Sequence, residues 1–135
     1  RGLGDVYKRQ DVIENNLMTR KLWASPKYPT SEEILREKFS YRHDRMYYPD
    51  GSTRQYAAIG DDGDRTLRLK KISLPTLVLH GSSDNLVPLE AGKDTHRNIS
   101  GSNIEILDGW GHDLPEGTHD WIVDKIHNHI KSCNE

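Results

Sequence analysis

Leu74-Pro-Thr-Leu-Val-Leu-His-Gly81 is the stretch that decides the fold. From Thr76 to Leu79 it runs without polar alternation. A strand with one wet face alternates, whereas a continuous run suits a strand covered on both faces, the mark of a parallel sheet with helices on each side. Pro75 stands at the strand's entrance, where a missing N–H does least harm. Downstream, residues 88 to 98 read as a short helix interrupted by Gly92, and Ile104-Glu-Ile-Leu107 as a second strand. Ile122, Val123, Ile126 and Ile130 then fall on one helical face, with Lys, His and Asn between them. The order strand, helix, strand, helix predicts an α/β fold of the doubly wound kind.

Upstream the character differs, and no internal repeat is present. Between Asp11 and Trp23, Val12, Ile13, Leu17, Met18 and Leu22 have a loose helical spacing, stopped by Ser25-Pro-Lys-Tyr-Pro29. Thr30 and Glu33 have the spacing of a capping box ahead of a helix through Ile34, Leu35 and Phe39. Tyr48-Pro-Asp-Gly51 reads as a turn, Ser52 to Ile59 as a short helix ended by Gly60, and Asp61 to Asp64 as another turn. Arg1 to Gln10 has neither a helical nor a strand period and reads as a non-native leader. The expected organisation is therefore a leader over 1–10, a partial helical cap over 11–63 and the C-terminal part of an α/β core over 64–135.

Composition narrows the function classes. Hydrophobic residues make up 33% of the chain, a lean supply for an independent core, so a fragment of a larger domain is expected. The net charge of −2 comes from interspersed acids and bases, with no basic block to neutralise phosphates. Nucleic acid is thus a poor candidate partner. No apolar run approaches membrane-spanning length and no secretory signal pattern opens the chain. Cys133 has no second cysteine to pair with, and a reducing, cytoplasmic setting is the expectation. Nothing in the sequence speaks to oligomeric state.

In open α/β sheets, functional groups gather just beyond the carboxyl ends of the strands. Both strands here run straight into polar, glycine-bearing loops, Gly81-Ser-Ser-Asp-Asn-Leu-Val-Pro88 and Asp108-Gly-Trp-Gly-His-Asp-Leu-Pro115. Each carries one group suited to proton chemistry, Asp84 in the first and His112 in the second. The 28 residues separating them leave room for one helix and one strand, so adjacent parallel strands would bring both loops to one edge.

Pro75 to Pro88 together with Gly109-Trp-Gly-His-Asp-Leu-Pro115 resembles the C-terminal part of the α/β-hydrolase superfamily, closest to the esterase and prolyl-aminopeptidase-like branch that includes aclacinomycin methylesterase-type enzymes. The lead-in Asp64 to Ile72 is similar to that branch as well, so the resemblance covers about residues 64–131. It implies a carboxylic-ester hydrolase acting on a small molecule, with Asp84 orienting His112 as general base and then general acid. No cofactor or metal is implied. The family's Gly-x-Ser-x-Gly nucleophile elbow has no counterpart in these 135 residues, so the resemblance implies a serine upstream and an inactive chain as it stands. Alternatives within the resemblance are an amide or peptide hydrolase, an Asp-nucleophile dehalogenase or epoxide hydrolase, and a non-catalytic ligand-binding relative.

Each candidate also has a plainer reading. An aspartate in such a loop commonly bonds its own backbone, and a histidine near a chain end is commonly solvated. Trp110, Leu86 and Val87 could line a pocket or simply pack the loops. Tyr41, Tyr47 and Tyr48 read as packing aromatics of the cap. Asp120, Asp124 and His127 share a helical face, but no cysteine or His-Glu-x-x-His motif accompanies them, so a solvated face is expected rather than a metal site.

Overall fold

A computed structural model describes residues 3–133. They form two units, one of residues 3–22 and 30–64, the other of residues 23–29 and 65–133.

The first unit holds α1 (Leu3–Arg20), α2 (Glu32–Arg45) and α3 (Asp50–Asp62). Ile13 and Leu17, four apart and therefore on one face of α1, are its buried apolar side chains. Arg36 of α2 is paired with Glu14 of α1, and Arg9 holds Asp44 through two bonds of 2.7 Å. Lys21, just past α1, lies 3.7 Å from Glu32. These partners run in opposite order along the two helices, so α1 and α2 are antiparallel. All three pairs are exposed, and ion pairs in water select geometry more than they add stability. No residue of α2 or α3 is buried. Tyr47 and Tyr48 line a groove of about 240 Å³ with Val12, Phe39 and His43, the His43 ring stacking on Tyr47 at 4.7 Å.

Three readings of this region are corrected. Residues 3–10, read as lacking a helical period, are the first half of α1, while Arg1 and Gly2 lie outside the described residues. Its lack of an apolar stripe does not stop it from continuing a helix already formed downstream, because propagation is far easier than nucleation. The cap of α2 is Ser31, whose Oγ accepts from the Ile34 amide at 3.3 Å, not Thr30. A shift of one residue replaces Glu33 by Ile34 at the third helical position, so no reciprocal box forms. Gly60 lies inside α3, and the helix ends instead at Gly63, whose φ of 57° with ψ of −147° lies in a region open essentially to glycine alone.

The second unit contains α4 (Thr66–Leu69), β1 (Leu77–Gly81), α5 (Leu89–Asn98), β2 (Asn103–Leu107), a 3-10 turn (Glu116–Thr118) and α6 (His119–Ser132). β1 and β2 are parallel and adjacent, in register from Leu77 opposite Asn103 to Gly81 opposite Leu107. Helix α5 makes the crossover that a parallel pair requires and packs on both strands, and α6 packs on β1. This mixed architecture, a small two-stranded parallel sheet with helices, is compatible with part of an α/β fold.

The strand expected to be covered on both faces is only half-buried from Leu77 to His80, and Gly81 alone is fully buried. Two helices cannot enclose a strand whose second edge has no neighbour among the described residues. Ile99 is the unit's buried large apolar side chain, whereas Val123, Ile126 and Ile130 remain 65%, 42% and 56% exposed. The buried polar side chains Ser25, Ser102 and Thr118 are all hydrogen-bonded.

Amide hydrogen exchange should follow this division. Amides of β1 and β2 exchange through opening of the sheet, while those of α3, with no buried residue, exchange through local fraying. Mass-spectrometric exchange is expected to show α3 labelled at least about tenfold faster than the paired strands. Equal protection of the two would contradict this packing.

Candidate functional site

Two loops meet beyond the carboxyl ends of β1 and β2, and their meeting extends the ladder of the sheet. The Ser82 amide donates to Leu107 O at 3.0 Å and the Ser83 amide to Trp110 O at 2.9 Å. The Ser82 hydroxyl donates to Asp108 Oδ1 at 2.9 Å and accepts from the Gly109 amide at 2.8 Å. Ser82 therefore ties the acid loop to the histidine loop.

Asp84 lies on the first loop with its side chain 7% exposed. Its Oδ1 accepts from the amides of Leu86 at 2.9 Å and Val87 at 2.8 Å, the local turn that this residue type favours. Its Oδ2 lies 2.7 Å from Nδ1 of His112. The plain and the sharp readings of Asp84 thus hold together, one on each carboxylate oxygen. An ionised carboxylate only accepts, so the proton in this bond belongs to Nδ1. The imidazole is left with Nε2 for chemistry, on a side chain 44% exposed.

Burial pushes the Asp84 carboxyl upward. The Val87 amide, the His112 ring, the Leu86 amide and the charge of His112 outweigh that effect, and together they hold Asp84 below the usual carboxylate range.

His80, the residue before Gly81, escaped notice in the sequence. Its Nε2 lies 2.9 Å from the carbonyl of Val87, and a carbonyl can only accept, so Nε2 carries a proton. The same nitrogen is 3.9 Å from Asp84 Oδ2. The ring fits against α5 because Gly92 leaves space, where a Cβ would overlap its Nδ1. His80 thus braces the turn whose amides hold Asp84. The one available signal was its place at the last side chain of β1, directed inward beneath the loop.

Trp110 packs rather than standing free. Its Nε1 donates to Asp113 O at 2.6 Å and its ring meets Trp121 edge-on at 6.2 Å. Leu86 and Val87 are 51% and 37% exposed, and their backbone amides are what serve Asp84. Asp120, Asp124 and His127 are exposed on α6, and among the described residues no group of three or more His, Cys, Asp or Glu is placed to hold a metal. Among the same residues no helix is long and apolar enough to cross a membrane.

No family model matches the chain. Curated proteins resemble it over part of its length, among them the following two. It is 36% identical over 64 residues to an uncharacterized hydrolase, YugF, of Bacillus subtilis (strain 168), covering 47% of this chain and 23% of that protein. It is 36% identical over 52 residues to the non-heme chloroperoxidase CPO-A1 of Kitasatospora aureofaciens, covering 38% of this chain and 19% of that protein. The chain thus spans roughly a fifth to a quarter of the length of these relatives. These partial likenesses, one of them to a protein named a hydrolase, support a hydrolase-type reading and nothing finer.

The electrostatics of Asp84 can be read directly. Carbon-13 NMR of its side chain should give a titration midpoint below the ordinary aspartate value of about 3.9, and His112→Ala should raise that midpoint. Because the folded-state value is depressed, the associated stability is complete above the ordinary aspartate pKa and is lost as pH falls through the depressed value. A midpoint at or above the ordinary value, unmoved in His112→Ala, would contradict the arrangement.

Proposed function

We propose that this chain supplies the acid and the base of a carboxylic-ester hydrolase acting on a small molecule. The single observation that carries the reading is the 2.7 Å bond between Asp84 Oδ2 and His112 Nδ1 at the ends of two adjacent parallel strands. The likeness to a protein named a hydrolase supports the reaction class, and the absence of a Gly-x-Ser-x-Gly elbow from these residues supports a nucleophile elsewhere in the enzyme.

In this reading Asp84 holds the imidazole in the tautomer with Nδ1 protonated. Nε2 then removes the proton of a serine hydroxyl as its oxygen attacks the ester carbonyl carbon. The imidazolium that forms faces the Asp84 carboxylate, which stabilises it. As the tetrahedral intermediate collapses, Nε2 returns the proton to the departing alkoxide. Water, deprotonated by the same nitrogen, then attacks the acyl carbonyl, the bond to the serine oxygen breaks, and Nε2 returns the proton to that oxygen as the carboxylic acid leaves. The pair requires no metal for these steps. The oxyanion is stabilised by donors other than Asp84 and His112, since such stabilisation is a large share of this kind of catalysis.

Two assays test the reading. The chain as it stands should show no saturable, His112-dependent hydrolysis of p-nitrophenyl acetate beyond the slow reaction of free imidazole. Saturable turnover that disappears in His112→Ala would locate a nucleophile within these residues and overturn the division of roles. In a chain extended to include a nucleophile elbow, Asp84→Asn and His112→Ala should each lower kcat by about 10³–10⁴-fold while the fold is kept. An extended enzyme indifferent to both substitutions would sink the assignment.

A further inference from the structure

We infer that the segment Trp23–Pro29 is a strap that positions the imidazole of His112, with Ser25 as its principal positioning residue. This deepens the hydrolase reading and rests on it for the role of His112.

The strap is bonded to the histidine loop at Trp23, Ser25 and Lys27. The His112 amide donates to Trp23 O at 2.8 Å. The Ser25 hydroxyl accepts from the Gly111 amide at 2.9 Å and donates to Asp113 Oδ1. The Lys27 amide donates to Gly109 O at 3.3 Å, and the Lys27 ammonium pairs with Asp108. The residue before His112, the residue after it and its own backbone are therefore all held from one side. Asp84 holds its ring from the other.

Ser25 stands apart from the other strap residues because it is buried, 3% exposed. A buried hydroxyl costs free energy unless it is bonded, and its loss leaves its former partners unsatisfied in the same dry place. Gly111 reinforces the point. A Cβ there would run into Trp23 O and Ala24, so the two backbones approach closer than any side chain would permit. A segment needed only to cover the loop has no reason to approach so closely, whereas one that sets the direction of a ring does. Hydrogen bonds on the Gly111 and His112 amides fix the backbone from which the ring projects, and the bond to the Asp113 carboxylate holds the next side chain. The arc open to Nδ1 then falls on Asp84 Oδ2.

The strap acts on the ring through the backbone, so the test must read the ring. The ring N–H proton of His112 should give a downfield proton-NMR resonance, slowed in its exchange with water by the bond to Asp84. Ser25→Ala and Ser25→Cys remove the strong acceptor, the latter at nearly constant volume. Each should speed exchange of that proton and of the Gly111 amide by about tenfold, the effect of losing one hydrogen bond. Ser25→Thr keeps the hydroxyl and should restore both. Amides of β1 and β2 report whether each variant is folded, and Ser25→Cys carries the test if Ser25→Ala is not. Folded variants in which the ring proton is unchanged would overturn the strap's positioning role, even if they are less stable. The hydrolase reading fails separately: a ring proton that responds to Ser25 in an extended enzyme whose ester hydrolysis ignores His112→Ala would leave the strap standing and remove the reaction.

Discussion

The backbone hydrogen bonds that continue past the ends of β1 and β2 are the interaction on which the rest of the site depends. A parallel pair normally splays once its strands end, because each chain turns away to its own crossover. Here the amides of Ser82 and Ser83 keep the first loop bonded to Leu107 and Trp110 of the second. Gly81 makes this possible, since a Cβ at that position would overlap Trp110 O. With the loops in register, Asp84 is one bond from His112 although 28 residues separate them. The carboxylate is then fixed twice, by its own turn through Oδ1 and by the imidazole through Oδ2.

This precision is built more from hydrogen bonds than from burial. Among the described residues Ile13, Leu17 and Ile99 are the buried large apolar side chains, and much of the apolar surface of α6 is exposed. At about 25 cal/mol per Å² of apolar area removed from water, so few buried side chains contribute little to holding loops in place. The buried polar groups add direction, which apolar burial does not supply. Ser25 and Thr118 are each bonded to loop backbone, and Ser102 joins the end of α5 through His96. Such groups specify a geometry strongly, because breaking one bond exposes the cost of a buried polar atom without a partner.

The parts of the fold legible in the sequence were those with a period or a local motif. The run around Leu77 to Leu79 and the shorter one at Ile104 to Leu107 marked the two strands, and the loops after them marked Asp84 and His112. The strap was not legible. Ser25-Pro-Lys-Tyr-Pro29 reads as a helix stop, and nothing local in it foretells bonds to residues more than 80 positions away. His80 was hidden in another way, because in a strand it looks like one polar interruption of an apolar run. Its use depends on Gly92 of α5 leaving room for the ring. The first turns of α1 were missed because that stretch carries no stripe of its own, and the cap of α2 because Thr30 and Ser31 are chemically equivalent candidates that only the backbone can separate.

The central claim is that Asp84 sets the state of the His112 imidazole for proton transfer. Nitrogen-15 chemical shifts of the two ring nitrogens report it most directly, since a protonated and a bare imidazole nitrogen differ widely in shift. The account predicts the tautomer with the proton on Nδ1 and none on Nε2, and a drift toward mixed tautomers in Asp84→Asn. A neutral ring that carries its proton on Nε2, or a tautomer unchanged by Asp84→Asn, would contradict it.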